Sequence, residues 1–478
     1  MTDCTFTSNI ANSNGGAVVW YGSNGILNDS IFNDNSAYNV GGAVYWSSVA
    51  ANGTLTSCTF NTNTAGNNGG AIQWDGSNSS MSNCNFTNNN ALNGDNVYWT
   101  WTVTEFLNKY NQIHDYDYVL IRANGVGTPS RTIVLNKKGV IISSQGNVIF
   151  DAKGGNLHFE VTGDNILIEK ITFRNFNFTG NGGALQWSGI NGILRNCKFN
   201  NNTARGSGGA VFWNGANGTI LSSSFNSNSA RHGGSISWGG IKGILTDCTF
   251  TDNFSAGNGG AIDMGGANSS IMNSAFINNT ARGSGGAINW GAVDGSLTDS
   301  TFTGNSATTF GGGIAFYGVN AILTGCTFID NNAKDGGGAY MHHNNGRLSN
   351  SNFTSNHVTH WGGAVYWTGS NGVLTGSTFT DNAAALGGAV YWYLAGSMVN
   401  CNIVNSKWIN SITKSNGIYA RNNLTINGGK GIVDISILGT LSGASIVVLN
   451  NETYYYPPNT NINFTTKKEK YTQSEVSK

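Results

Sequence analysis

Along most of this chain one phrase of apolar and polar positions recurs: a Phe, an Asn three residues later, a Gly-Gly-Ala some nine residues on, then an apolar residue, a variable one and usually a Trp. Phe6, Phe32, Phe60 and Phe86 lie 26, 28 and 26 residues apart. After an interruption, Phe199, Phe225, Phe250, Phe276, Phe302, Phe328, Phe353 and Phe379 follow at 26, 25, 26, 26, 26, 25 and 26. A fixed period of this length predicts a solenoid, in which each coil buries its apolar face only by stacking on its neighbours.

Alternation along a strand places every second side chain on one face. A first strand ends on each Phe, as in Ile26 to Phe32, with two inward columns ahead of the ring. The Leu27 column stays apolar (Leu55, Met81, Leu194, Ile220, Leu245, Ile271, Leu297, Leu323, Leu348, Leu374). The column two before Phe is small except at Ile171: Cys4, Ser30, Cys58, Cys84, Cys197, Ser223, Cys248, Ser274, Ser300, Cys326, Ser351 and Ser377. A second strand follows Gly-Gly-Ala, where Val18 and Trp20, Val44 and Trp46, or Ile288 and Trp290 share the inner face. The residue between them varies from Gln73 to Asp263 to Tyr366, which predicts an outer face open to water. The tryptophans therefore read as core.

Between the strands lies a corner. Asn35, Asn63, Asn202, Asn228, Asn253, Asn279, Asn305, Asn331, Asn356 and Asn382 each stand three after a Phe. Stacked at the strand spacing of about 4.8 Å, their amides form a structural ladder that satisfies backbone groups at a buried turn. The prediction is an all-β, parallel β-helix with coils of 25 to 26 residues, right-handed because parallel crossovers overwhelmingly are.

Residues 101–170 break the period. Thr102 and Glu105 have capping-box spacing, and Val103, Phe106, Leu107 and Tyr110 recur at helical intervals, so one short capping helix is expected from Val103 to Gln112. The expected organisation is 1–100 as the end of a first β-helix block, 101–170 as capping helix and opening coils, and 171–405 as the main repeats. Residues 406–465 read as terminal coils or the start of a small β-sandwich, and 466–478 as a disordered tail. One continuous rod with a bulging insert is the alternative to two solenoids.

Composition narrows the class. Charged residues are 10% of the chain, Gly numbers 68 and Pro 3, which excludes collagen. Twenty-four basic and twenty-four acidic residues cancel, so nucleic acid is not an expected partner. No run approaches the roughly 18 apolar residues of a membrane helix. Met1 opens in mid-repeat, which reads as a piece of something longer whose export signal and anchor are not in this segment. Seven cysteines spread one per coil read as small core fillers rather than a disulfide framework.

The phrases Phe-x-x-Asn and Gly-Gly-Ala-(Ile/Val/Leu) resemble the repeat of chlamydial polymorphic outer-membrane proteins. The Asn-rich, Trp-bearing form resembles adhesin-like surface proteins of methanogenic archaea, over about 1–100 and 171–395. That resemblance implies an extracellular, surface-displayed passenger built for attachment to a host or neighbouring cell, with glycans as possible ligands.

Catalytic chemistry is sparse. The richest acid column, Asp34, Asp252, Asp330 and Asp381, precedes the ladder Asn; Asp252 and Asp330 would stand three coils or roughly 14 Å apart. Paired carboxylates for glycoside cleavage need roughly 5 to 10 Å; Asp330 and Asp381, two coils or roughly 10 Å apart with Ser355 between, are marginal and have no basic companion, so these read as turn residues. His342-His343, read at the Trp position, and His357 with His360 fall at different corners, so no metal and no cofactor are expected. His232 and His360 read as one column, five coils apart. Trp361, Tyr366, Tyr391 and Tyr393 form the candidate outward ladder for stacking against sugars. The expected function is a non-enzymatic adhesin or stalk. A β-helical polysaccharide lyase or hydrolase, and a purely structural surface component, are the alternatives.

Overall fold

The computed structural model describes residues 1–408 and 417–422, and beyond them six strands between Leu424 and Asn463. The expected tail at 466–478 lies outside the described residues. Two compact units make up the chain: Met1–Phe176 with Leu185–Lys198, and Asn177–Ala184 with Phe199–Lys478.

In the second unit every coil from Val211 to Trp408 carries four short strands. One coil runs through Ile288–Trp290, Ser296–Thr298, Thr301–Thr303 and Ser306–Ala307, here called the Trp, Leu, Phe and short strands. Each pairs in parallel and in register with the next coil: Ile288 with Ile314, Leu297 with Leu323, Phe302 with Phe328, Ser306 with Asn332. Four left-handed residues turn the chain between them, Asp294, Asp299, Gly304 and Gly311, with φ of 56°, 48°, 66° and 66°. Asn, Asp and Gly tolerate that conformation where other side chains resist it.

These corners revise the strand reading. Leu297 and Phe302 are five apart, which in one straight strand puts them on opposite faces. The left-handed Asp299 splits the stretch into two strands, so both side chains reach the core, where each is fully buried. The acid column Asp34, Asp252, Asp330 and Asp381 occupies the third corner, each with φ of 53° or 54°.

Inside, homologous side chains form files. The rings from Phe199 to Phe379 stack at 4.6 to 5.1 Å with interplanar angles of 8° or less. Trp213 stacks on Trp238 at 5.0 Å and Trp367 on Trp392 at 4.7 Å. The Ser/Cys column does more than fill space: Ser300 Oγ donates to the Thr298 carbonyl (2.9 Å) and accepts the Ser274 N–H of the coil before (3.1 Å). All seven cysteines are free, and burial pushes the thiols of Cys197, Cys248 and Cys326 up to about 12.

In the first unit, three faces of the solenoid are interrupted while the fourth runs on. The Trp strands 18–20, 44–46, 72–74 and 97–101 continue into Tyr118–Arg122, Ile141–Gln145, Leu167–Glu169 and Ile193–Arg195. Trp99 therefore stands in register with Val119, Ile142, Ile168 and Leu194, so the Trp face of the early coils becomes the Leu face of the later ones. The helix Val103–Lys109, capped by Thr102 and Glu105 and followed by a 3₁₀ turn to Gln112, fills the break. Glu105 and Gln112 accept the edge N–H groups of Asn78 (2.8 Å) and Met81 (3.2 Å) on the last early coil. Phe106, fully buried, packs on Phe150 at 5.4 Å. The helix thus closes an open sheet edge on one side and a core on the other. Asp117, fully buried, accepts from the Val97 and His114 N–H groups (3.0 and 2.9 Å) and Trp99 Nε1 (2.8 Å), tying the insert to that continuous sheet.

Glu169 in the same unit is buried, which alone raises its pKa, but hydrogen bonds from Ser143 and Arg195 and the Arg195 charge outweigh that and hold it below the usual range. A depressed carboxylate contributes stability above its unfolded pKa and loses it as pH falls through the folded one. Glu169→Gln is expected to cost about 1 kcal/mol at neutral pH, the pair being half exposed at Arg195, and to flatten the acid limb of a stability–pH curve followed by thermal melts. An unchanged acid limb would show that the pair is idle.

Towards the C-terminus, parallel pairing persists to Ile435–Ile437 and Thr440–Ser442. Antiparallel pairs then enter: Ser445–Leu449 with Glu452–Tyr456, and Thr440–Ser442 with Ile462–Asn463.

Candidate ligand-binding face

Three outward columns meet over the Trp strands of the second unit. The middle column comes from the strands themselves, with Ala315, Tyr340, Tyr366, Tyr391 and Tyr419 in successive register. The residue before the first glycine of each pair supplies the second: Ser284, Phe310, Asp335, Trp361 and Leu386. The residue after the Trp position supplies the third: Tyr317, His342, Thr368, Tyr393 and Arg421.

The outer face is not open to water along these coils. Tyr366 and Tyr391 keep only 5% and 4% of their surface exposed, and Ala315 and Tyr340 are buried beside them. The left-handed glycine turns the preceding side chain back over the strand, so Phe310 lies 4.6 Å from Tyr340, and Trp361 5.6 Å from Tyr366 and 5.3 Å from Tyr391. The four aromatics singled out in the sequence do come together, but only Trp361 and Tyr393 remain half-buried at the surface. Arg421 sits over the Tyr393 ring at 4.8 Å. Burial pushes the Tyr340 and Tyr391 phenols up to about 12 and raises Tyr366 as well, so all three stay neutral donors.

Polar groups punctuate the aromatics. Asp335, with 3% of its side chain exposed, accepts the Trp361 N–H at 3.0 Å and lies 3.0 Å from His360 Nδ1. Burial raises its carboxyl above the usual range, with His360 opposing. The His360 ring stacks on Trp361 at 3.9 Å and remains 40% exposed. His342 Nδ1 meets Tyr340 Oη at 2.7 Å and Thr368 Oγ1 at 3.0 Å, and burial lowers its pKa. Met341, paired with Phe316 and Trp367, holds the Trp position, so His342 and His343 lie just past it. His357 is exposed on the short strand, paired with Asn332 and Ala383. His232 precedes its Gly-Gly directly while His360 stands one earlier, so these two do not share a file.

Asp335, Phe310, Tyr317 and Tyr340 were not singled out from the sequence. Lining up the residue before each Gly-Gly would have exposed the change, since Asn14, Val40, Asn68, Asn181, Ser207, His232, Asn258 and Ser284, mostly polar, give way to Phe310, Asp335, Trp361 and Leu386. The face offers indole and phenol surfaces, neutral O–H donors and one His–carboxylate pair. Its other acid, Asp263, held by Asn289 Nδ2 at 2.7 Å, lies three coils from Asp335, roughly 14 Å, beyond the spacing for paired glycoside chemistry. Among the described residues no group of three or more His, Cys, Asp or Glu side chains is placed to hold a metal ion.

Residues 209–383 match the family described as right handed beta helix region. The fold is a right-handed parallel β-helix. Residues 3–19 and 196–212 match the Chlamydia polymorphic membrane protein repeat, which supports that part of the resemblance; its archaeal, adhesin-like part has no counterpart among these matches. None of the curated proteins matches this sequence. Similar solved structures include a PL6 alginate lyase complex with trisaccharide, 13% identical over 76% of this chain and 91% of that one, with a TM-score of 0.45. A second alginate lyase is 12% identical over 76% and 90% (TM-score 0.42), and a hyperthermoactive exopolygalacturonase from Thermotoga maritima 10% over 87% and 88% (TM-score 0.21). With identities of 10 to 13% and TM-scores all below 0.5, these likenesses carry no argument about this chain. Among the described residues no helix is long and apolar enough to cross a membrane.

Proposed function

We propose that this chain is the β-helical part of a non-enzymatic, extracellular surface protein that attaches to cells or their glycans through the aromatic face of its second unit. The observation that carries the reading is the half-exposed group of Trp361, His360 and Tyr393 with Arg421, set on a floor of buried tyrosines. Sugars stack on such rings through their C–H faces and take O–H and N–H donors at the rim. The inward columns are committed to stacking coils, which leaves outward positions free to carry recognition.

The test is binding of the purified chain to an array of cell-surface glycans, with Trp361→Ala/Tyr393→Ala beside it. The double variant is expected to lose at least about tenfold in affinity, each anchor contributing about 1 kcal/mol or more, while its melting curve stays that of a folded solenoid. Equal binding by both proteins would sink this face as the contact. Polysaccharide cleavage is the second reading, and the Asp335–His360 pair favours it, because a buried carboxylate beside a half-exposed imidazole is a general-base arrangement. Release of new reducing ends by the wild type, lost in His360→Gln, would replace attachment by catalysis.

A further inference from the structure

A second exposed feature of the same unit has no part in that face. The residue two after the start of each short strand forms an outward file: Arg205, Arg231, Ala256, Arg282, Thr308 and Lys334, set by the pairings Thr203 with Ser229, Ser229 with Phe254, Phe254 with Thr280, Thr280 with Ser306 and Ser306 with Asn332. All four cations are exposed, and among the described residues none of them forms an ion pair. In a chain whose charges cancel overall, four like charges on one edge of six coils, five steps or roughly 24 Å long, are a local concentration that the balance conceals. The acids Asp252 and Asp330 hold the corner ahead of the short strand, and Asp335 is buried against His360. Exposed cations outside any ion pair keep most of their attraction for an outside anion, although Arg282 also rests on the Phe254 ring and Lys334 feels the neighbouring Asp335 carboxyl.

We infer that this file is a binding edge for a linear anionic polysaccharide, a chain of uronate or sulfated sugars laid along the solenoid axis with its acid groups over Arg205, Arg231, Arg282 and Lys334. The spacing suits a polymer with sparse, regular charge, one cation per coil or per two coils. It suits nucleic acid poorly, because single strands need a run of stacking platforms, and the ring at this edge, Phe254, already lies under the Arg282 guanidinium at 5.4 Å. This goes beyond attachment through the aromatic face and does not depend on it.

The experiment uses the full chain, titrated with polygalacturonate, heparin, neutral dextran and a dT oligonucleotide at low and moderate salt. Polygalacturonate, heparin or both are expected to bind, and to weaken about tenfold or more between ~50 and ~200 mM salt, by the counterion release that any linear polyanion shows. Whichever of the two binds tells carboxylated from sulfated chains. Arg231→Ala/Arg282→Ala should lose at least tenfold of that binding, while Arg347→Ala, an exposed cation on a Leu strand of the same unit, should not. Trp361→Ala/Tyr393→Ala should bind the polyanion as the wild type does, which separates this site from the aromatic face. Unaltered binding by the double arginine variant, equal loss in Arg347→Ala, indifference to salt, or a dT oligonucleotide bound as tightly as the acidic sugars would overturn the inference.

Discussion

Replacing Gly286 by Ala is expected to unseat the coils on either side of it. Gly286 is the second glycine of its pair, and a Cβ there would stand 2.0 Å from the Gly312 carbonyl oxygen and 2.7 Å from the backbone of Ser306. Backbone atoms of the next coil cannot swing away as a flexible side chain would, because the Gly286 N–H is itself bonded to Gly311 O at 2.9 Å. The added methyl therefore forces neighbouring coils apart at a corner where both are held. We expect at least about 3 kcal/mol of destabilisation, the upper end of overpacking costs. Gly291→Ala is the control: its nearest neighbour would be Met264 O at 3.8 Å, and it should change stability by no more than about 0.5 kcal/mol. Melting temperature and hydrogen exchange in coils 262–339 measure both, and equal behaviour of the two variants would contradict the close approach.

Asn305→Ala should cost about 4 kcal/mol, because each rung of the amide ladder serves two coils at once. The Asn305 side-chain oxygen accepts from the Asn279 backbone N–H and Nδ2, both at 2.9 Å. Its Nδ2 donates to Phe276 O at 2.9 Å and to the Asn331 amide oxygen at 3.0 Å. The residue is fully buried, so truncation strands at least two donors and one carbonyl away from water, each worth about 1 to 3 kcal/mol and not additive. Asn305→Asp separates shape from hydrogen bonding. Its carboxyl would be buried against the Phe276 carbonyl, which raises the folded pKa, so its stability is present below the unfolded value and lost as pH rises through the folded one. That variant should melt higher in mild acid than at neutral pH, whereas a variant indifferent to pH would mean that the ladder is not sealed from solvent.

Both predictions rest on positions legible in the chain, since the Asn three after Phe and the paired glycines recur at fixed spacing. The inward files were legible for the same reason: a side chain that must stack on its own copy in the next coil has few alternatives, and Leu, Phe and Trp stay in their columns. The capping box at Thr102 and Glu105 likewise marked the helix, because the reciprocal bonds need those residue types at that spacing.

Less legible were features that join residues from different columns. The left-handed corner at Asp299, which turns Leu297 and Phe302 to the same interior, is invisible to simple alternation. The covering of Tyr366 and Tyr391 by Trp361 depends on how a glycine swings the preceding side chain back over its strand. The continuous sheet that passes Trp99 on to Val119, and so shifts the phase of the early and later coils of the first unit, leaves no mark in the spacing of the phenylalanines.

Repetition alone thus determined the solenoid, its coil length, its buried files and its amide ladder, because a period in sequence becomes a translation in space whatever the outer residues are. Which outer residues meet, how far they are covered, and where cations gather on one edge were decided only by the folded coils. Those contacts run between neighbouring turns, and no single repeat contains both partners.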